Sequence, residues 1–349
     1  MYLTKSRFKI GISCPTKLYY AAHPIDFHNN DEENEFMQAL SKGGLQVGEL
    51  AKLYYPGGIE VDGKTKEIQL KQTNAALKKE NVIIYEAAIL VGHKFIRVDI
   101  LEKRGNNIKV IEVKSKSCDG IDELQFFNKR KKIATGERPY LEDIAFQLLV
   151  VKEAFPDFEV TPFLMMPNKR LESSIDCLYS YFVIEKKFKR DRCTVVGGVT
   201  KADLGTQIMT AINVQATLEV LVNDNYYREH NDFEGRGFKD IVNWFSELLV
   251  RYENNGPVYF SKPFTKCRDC EYNSLDIEKS GFYKCLSEQK KWSLLDFEKP
   301  KVWDVWGSPR LKYFLNQDKW FMEDINVSDL TITSRYERQS MQIENTNKQ

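Results

Sequence analysis

Two carboxylates and one ammonium group fall in a stretch of the sequence that is otherwise apolar. Asp99 lies in "FIRVDIL", and Glu112 and Lys114 lie in "KVIEVKS". Because side chains alternate along a strand, Glu112 and Lys114 share one face, and a turn near residues 105–107 brings Asp99 beside them. Charged groups are costly on an apolar sheet unless they pair with each other or hold a cation. Carboxylate oxygens suit Mg²⁺ or Mn²⁺, which leaves room for a phosphate and an attacking water.

The alternative for these residues is an exposed strand face with a weak cross-strand pair. Two further polar residues in apolar surroundings favour a site instead. Glu86 interrupts the run "IIYEAAIL", and Gln147 interrupts the apolar helix "IAFQLLVV". A purely structural core would be expected to have aliphatic residues there.

The elements that must position these residues form a predicted mixed α/β core. The residues before 79 are expected to form helices. Three apolar, β-branched runs between residues 81 and 117 are separated by turn residues and predict an antiparallel meander. A helix over 140–155 and a fourth strand over 159–168 follow.

The domain organisation is expected to comprise five segments. Residues 171–260 are expected to be mostly helical, with a charged loop at 185–192 and helices at 206–227 and 237–254. The five segments are a helical segment at 1–78 that includes the first cysteine, the core at 79–170, the helical region at 171–260, a cysteine segment at 261–290, and an aromatic-rich tail at 291–349 that would join a further domain.

The cysteines suggest a second site. Cys267, Cys270 and Cys285 lie within "KCRDCEYNSLDIEKSGFYKC", and the chain has 7 cysteines in all. No signal peptide and no run of about 18 apolar residues is evident, so a cytoplasmic protein without a membrane partner is expected. In the reducing cytoplasm, an odd number of thiols favours metal ligands and spare cysteines over disulfides. Three cysteines show no partner spacing and are expected to be ordinary thiols: Cys118, Cys177 and Cys193.

The overall charge excludes a polycationic nucleic-acid coat, because 51 basic residues are balanced by 50 acidic ones among 349. It leaves room for a local basic groove. Candidate backbone contacts are the basic stretches 114–117, 128–132 and 186–192, with Phe126 and Phe127 as stacking residues.

Glu86, Asp99, Glu112-x-Lys114 and Gln147, in this order, resemble the PD-(D/E)XK nuclease superfamily, in particular its RecB-like branch. The resemblance implies a restriction-endonuclease-like mixed sheet core flanked by helices, with a helical insert and a C-terminal cysteine-cluster segment. By position it assigns the metal to Asp99, Glu112 and the carbonyl group of Val113. Lys114 would position the attacking water, Gln147 would support the site, and Glu86 would be an accessory acid.

The same branch includes CRISPR-associated exonucleases with an upstream cysteine, and "ISCPTKLYY" is similar to that upstream site. The resemblance implies that Cys14 joins Cys267, Cys270 and Cys285 around a [4Fe–4S] cluster, which would tie the N-terminal helix to the C-terminal segment. Zinc is the alternative on spacing alone. Blocks such as "GELAKLYYPGG" and "KVWDVWG" resemble an uncharacterised bacterial RecB-like family.

The function expected from this resemblance is that of a metal-dependent DNA nuclease, acting as an exonuclease on DNA ends or single strands. Two positions differ from the family pattern: Val151 stands where a Tyr is usual, and Gly48 stands where a His is usual. A restriction-type or RNA-directed nuclease remains an alternative. So does a non-catalytic nucleic-acid-binding subunit with a structural zinc or iron–sulfur site.

Overall fold

The structure of the protein is a computed structural model, which describes residues 1–33, 35–187, 190–227, 233–307 and 310–347. The chain divides into two units. The first comprises Met1–Cys14 and Glu32–Pro257, and the second comprises Pro15–Asp31 and Val258–Gln349. Each unit is therefore built from two separate parts of the sequence.

The helices and strands are numbered in chain order. The helices are α1 (Lys5–Ser13), α2 (Lys17–Ala22), α3 (Glu35–Tyr54), α4 (Lys66–Leu77), α5 (Arg138–Ala154), α6 (Gln215–Asn223), α7 (Phe238–Glu253), α8 (Gly281–Lys290), α9 (Leu294–Glu298), α10 (Leu311–Asn316) and α11 (Tyr336–Asn347). The strands are β1 (Ile59–Glu60), β2 (Asn81–Val91), β3 (Lys94–Arg104), β4 (Asn107–Val113), β5 (Glu159–Pro167), β6 (Phe182–Lys187), β7 (Arg190–Val195) and β8 (Met209–Asn213). Among the described helices, none combines the length and the apolar character that crossing a bilayer requires.

A mixed sheet forms the centre of the first unit. Within the described residues it has six strands in the order β1-β2-β3-β4-β5-β8. Strands β2, β3 and β4 are the predicted antiparallel meander, and this prediction is confirmed. Strand β5 then pairs parallel to β4, which requires a crossover, and α5 supplies it. The predicted mixed α/β core is thus present.

The helix α5 lies against the sheet with almost no exposed surface in its central turns. Its predicted apolar face is buried, including Leu141, Ile144 and Leu148. The first helix, α1, packs on α5 through stacked rings, since the centroids of Phe8 and Phe146 lie 4.9 Å apart at an interplanar angle of 12°. This contact places the N-terminal helix directly beside the helix that crosses the sheet.

The region 171–260 contains more strand than the sequence suggested. The expected charged loop at 185–192 belongs to a β6–β7 hairpin, although residues 188–189 lie outside the described part. The first part of the expected helix at 206–227 is instead strand β8, which pairs antiparallel with β5. This pairing satisfies the backbone hydrogen-bonding groups of β5 along an edge that would otherwise be open. The sheet contact therefore overrides the helical pattern of the residues that form β8. The helix expected at 237–254 is confirmed as α7.

The second unit has its own apolar core, which is rich in tryptophan. The aromatic residues of the expected C-terminal tail therefore pack within this unit instead of forming an open surface. The buried members of this core include Trp292, Trp303, Phe314, Trp320 and Ile343.

Gly11 offers a direct test of how α1 packs. A β-carbon at Gly11 would lie 2.5 Å from a ring carbon of Phe245, which is fully buried. We expect Gly11→Ala to lower the free energy of unfolding by about 1–3 kcal/mol through overpacking. Gly44, in α3, has no atom near the corresponding position, so Gly44→Ala should raise stability by about 1 kcal/mol. Urea unfolding measures both, and a Gly11→Ala protein as stable as wild type would contradict this packing.

Candidate active site

The candidate site lies where the ladder between β3 and β4 ends. The last residues paired between these strands are Ile100 and Ile111, and Asp99 and Glu112 occupy the next positions. Beyond this point β3 continues along β2 while β4 continues along β5. The backbone N–H of Val113 therefore has no partner in β3, and it donates instead to Asp99 Oδ2 at 2.8 Å. The two carboxylates sit in the opening between the strands.

Strand β2 is irregular at the same level. Tyr85 pairs with Ile100 and Ala87 pairs with Val98, so Glu86 stands opposite Asp99 without a place in the ladder. Glu86 has a φ of 56°, a left-handed conformation that is uncommon and strained for a non-glycine residue. Its carboxylate lies 3.5 Å from Arg97 Nε. Glu86, which the sequence analysis assigned as an accessory acid, thus stands opposite Asp99 at a local distortion of β2.

Glu112 is almost completely enclosed, with only 1% of its surface exposed. Its Oε1 accepts from Lys5 Nζ at 2.6 Å and lies 2.7 Å from Lys114 Nζ, and its Oε2 accepts from Gln147 Nε2. Burial alone would raise the pKa of Glu112, but the two ammonium groups outweigh burial and hold its pKa well below the usual range. Glu112 is therefore an anion fixed by three donors.

Asp99 has weaker compensation than Glu112. Burial, and after it the neighbouring charge of Glu112, raise the pKa of Asp99, which is about 7 in the folded protein. Lys5 opposes this increase from 3.8 Å, and the N–H of Val113 opposes it further. Because Asp99 is incompletely neutralised by the chain itself, it is suited to receive an additional positive charge.

Asp143 and Lys5 complete the cluster, and the sequence analysis did not identify either. Asp143 is buried on α5, one turn before Gln147, and it pairs with Lys114 and, at 3.4 Å, with Lys9. Its spacing from Gln147 within an apolar helix was a usable signal. Lys5 gave no signal, because its position depends on the packing of α1 against α5.

A pocket of about 530 Å³ opens beside the carboxylates. Asp99 and Glu86 form part of its wall, and cationic side chains form another part: Lys5, Lys64, Lys66 and Arg97. Two hydrogen bonds at Gly63 fix the loop that presents Lys64. The N–H of Gly63 donates to Gln72 Oε1 at 3.0 Å, and Gln69 Nε2 donates to the carbonyl of Gly63 at 2.8 Å. The pocket is thus lined by both acids and cations, and two of them pair directly: Glu86 with Arg97 and Asp99 with Lys5. Carboxylates that can hold a metal and cations that can bind a phosphate are both present.

The basic stretches named from the sequence have different environments. Lys129, Arg130 and Lys132 are exposed, whereas the 186–192 stretch lies partly outside the described residues. Phe126 is 1% exposed, so the expectation that it stacks on a base is wrong; its ring is needed in the core. Phe127 is half-buried.

The donor set fits a hard divalent cation. Asp99 and Glu112 supply carboxylate oxygens, and in the described chain two further buried oxygens, Asp143 Oδ1 and Gln147 Oε1, have no hydrogen-bond partner. Within those residues, no group of three or more His, Cys, Asp or Glu side chains could hold a metal ion as it stands. In the carboxylate cluster, ammonium groups contact the oxygens that a metal would use.

The predicted cysteine site is divided between the units. Cys14 ends α1 as its C-cap and is the last residue of that part of the first unit. Cys267, Cys270 and Cys285 all belong to the second unit. There the N–H of Phe264 donates to Cys267 Sγ at 3.3 Å, and Gln289 Nε2 donates to Cys285 Sγ at 3.1 Å. Donors of this kind stabilise negative charge on sulfur.

The residues that follow Cys14 are bound to the cysteine segment within the second unit. The N–H of Ser261 donates to Thr16 Oγ1 at 2.7 Å, and the N–H of Asn30 donates to the carbonyl of Glu271 at 2.8 Å. The rings of Tyr20 and Tyr272 lie 5.2 Å apart. An N-terminal stretch and a C-terminal stretch of the sequence thus share one packed structure.

No family model matches the sequence, no curated protein matches it significantly, and no solved structure matches the fold significantly.

The role of Asp143 can be measured through stability. Asp143→Asn removes the charge that pairs with Lys114, which keeps only 14% of its side chain exposed. We expect the free energy of unfolding to fall by about 1–3 kcal/mol, because a largely buried ammonium loses a charged partner. Asp157→Asn, an exposed change in the loop after the same helix, should stay within about 0.5 kcal/mol of wild type. Equal urea midpoints for the two variants would show that Asp143 is not needed to hold Lys114.

Proposed function

We propose that the protein is a divalent-metal-dependent nuclease that hydrolyses phosphodiester bonds in DNA, at ends or in single strands. One observation carries the proposal. Asp99, Glu112, Lys114 and Gln147 converge at the opening between β3 and β4, beside a pocket with cationic walls. Carboxylates for a metal and cations for a phosphate are the two parts that phosphodiester hydrolysis needs.

Asp99, Glu112 and the backbone carbonyl of Val113 would hold Mg²⁺ or Mn²⁺. When bound, such an ion supplies an activated water and neutralises charge on the phosphate oxygens. The unpartnered oxygens of Asp143 and Gln147 add capacity for ordered water near these ligands. The chain's own part is to fix the carboxylates in place, and Lys114 and Gln147 do this for Glu112.

Lys114 acts as a cation in this proposal. Burial lowers the pKa of its ammonium group, but Glu112 and Asp143 outweigh burial, so its pKa is raised and it stays protonated. A protonated lysine can donate to a phosphate oxygen and hold an attacking water, but it cannot accept a proton. Gln147 keeps Glu112 oriented by donating to its second oxygen. The cationic side chains of the pocket would bind the neighbouring backbone phosphate.

Cleavage assays test this function. Wild-type protein with Mn²⁺ should degrade end-labelled single-stranded DNA, and EDTA should stop the reaction. Lys114→Met should reduce the rate by about 10²–10³-fold, because a positioned cation is lost from the reacting phosphate. Lys152→Met, an exposed change in the last turn of α5, should keep the wild-type rate.

The same assay separates the alternatives. Faster cleavage of RNA than of DNA of the same sequence would favour the RNA-directed alternative, and cutting at internal duplex positions would favour the restriction-type one. If wild-type protein and Asp99→Ala leave every labelled strand equally intact, the nuclease proposal fails. Binding without cleavage would then favour the non-catalytic subunit.

We further propose that Cys267, Cys270 and Cys285, with Cys14 as fourth thiolate, hold a structural [4Fe–4S] cluster. The proposal is supported by the N–H donors to Cys267 and Cys285 and by the aromatic packing around Cys270, which contacts the Tyr20–Tyr272 cluster. Cys14 is bonded to Pro15, where the second unit begins. A reducing cytoplasm would keep these thiols available for the cluster.

Anaerobic purification tests the cluster. We expect brown protein with about four iron atoms per chain, as four thiolates require. Cys285→Ser should lose the colour and the iron, whereas Cys177→Ser should retain both, because Cys177 is exposed and is not one of the four proposed ligands. Colourless protein with one zinc per chain would support the zinc alternative and contradict the iron–sulfur cluster.

A further inference from the structure

The ammonium group of Lys5 contacts both carboxylates that were assigned to the metal. Its Nζ lies 2.6 Å from Glu112 Oε1 and 3.8 Å from Asp99 Oδ1. A divalent ion held by the same two residues would need oxygens that Lys5 now contacts. The chain therefore brings a cation of its own to this position.

The structure places Lys5 firmly. Just before it, the N–H of Leu3 donates to the carbonyl of His93 at 2.7 Å, and the N–H of Phe95 donates to the carbonyl of Leu3 at 2.9 Å. Thr4 then caps α1 by accepting from the N–H of Arg7 at 3.3 Å. One turn later Phe8 is fully buried against α5. The backbone at Lys5 is fixed from both sides, so the contact with Glu112 follows from the fold.

In the metal-free protein, Lys5 compensates the negative charge of Asp99 and Glu112. Asp99 and Glu112 repel each other in a region of low polarity, and Glu112 is almost completely buried. Lys5 reaches both carboxylates, whereas Lys114 pairs with Glu112 and Asp143. Without Lys5, Lys114 would still pair with Glu112 and Asp143, but Asp99 would lose the ammonium group that lies 3.8 Å from it.

We propose that Lys5 is the internal counter-cation of the carboxylate site, and that its ammonium must leave Glu112 before a divalent ion binds. The inference rests on the proposed metal-dependent function. Lys5 has space to leave, because its side chain is 29% exposed and it lines the pocket together with Thr4 and Ser6. Lys5 thus sets the metal affinity of the site, since a bound ion must overcome an existing favourable ion pair.

Mn²⁺ binding to the full chain, followed by electron paramagnetic resonance, tests the proposal without an activity readout. Lys5→Met removes the competing charge, and we expect its dissociation constant for Mn²⁺ to be about tenfold lower than that of wild type, equivalent to about 1.4 kcal/mol. Lys5→Arg keeps the charge and should bind Mn²⁺ as wild type does. Lys9→Met, one turn further along α1, removes a cation that pairs with Asp143 at 3.4 Å, and its affinity should stay near that of wild type.

The outcomes distinguish the inference from the function on which it rests. Equal or weaker Mn²⁺ binding by Lys5→Met, with a wild type that does bind, overturns the role of Lys5 and leaves the metal site intact. No Mn²⁺ binding by wild type or any variant overturns the proposed metal-dependent function itself. Lys5→Gln serves as a second neutral variant. Thermal unfolding in EDTA shows which neutral variant is folded, and the Mn²⁺ affinity of that folded variant is compared with the affinity of wild type.

Discussion

A nearly fully buried carboxylate, Glu112, is the constraint on which the rest of the site depends. A charge with 1% of its surface exposed is tolerated only when donors replace the water it has lost. Three donors do so, and each comes from a different part of the fold: Lys5 from α1, Lys114 from just after β4, and Gln147 from α5. Satisfying Glu112 therefore requires both helices to pack where they do.

The opening in the sheet determines the surroundings of the second carboxylate, Asp99. If β3 and β4 stayed paired, the N–H of Val113 would bond to β3 and Asp99 would have no structural role there. Because the strands separate after Ile100 and Ile111, Asp99 takes that N–H, and its second oxygen faces Lys5 and the pocket. A stability role alone does not explain such a cluster, since apolar residues of similar volume usually do as well or better than buried ion pairs. The proposed chemistry at a phosphate would account for charges that stability alone does not require.

Much of the site was predictable from local pattern. The alternation in β3 and β4 and the turn between them were enough to bring Asp99, Glu112 and Lys114 together, and Gln147 was visible as a polar residue in an apolar helix. Lys5 was not predictable, because it depends on a ring contact between Phe8 and Phe146 that joins residues far apart in sequence. Strand β8 was missed for a similar reason, since its pairing with β5 overrides a helical pattern. Phe126 was assigned to the surface because burial cannot be deduced from a basic neighbour.

A crystal structure of the wild-type protein with Mn²⁺ at saturating concentration, with anomalous scattering recorded, tests the central claim most directly. The expected result is an anomalous peak between Asp99 and Glu112, with metal–oxygen contacts of about 2.0–2.6 Å to both. The ammonium of Lys5 should then lie outside hydrogen-bonding distance of Glu112. Absence of a peak at these carboxylates, with Lys5 still bonded to Glu112, would contradict the account.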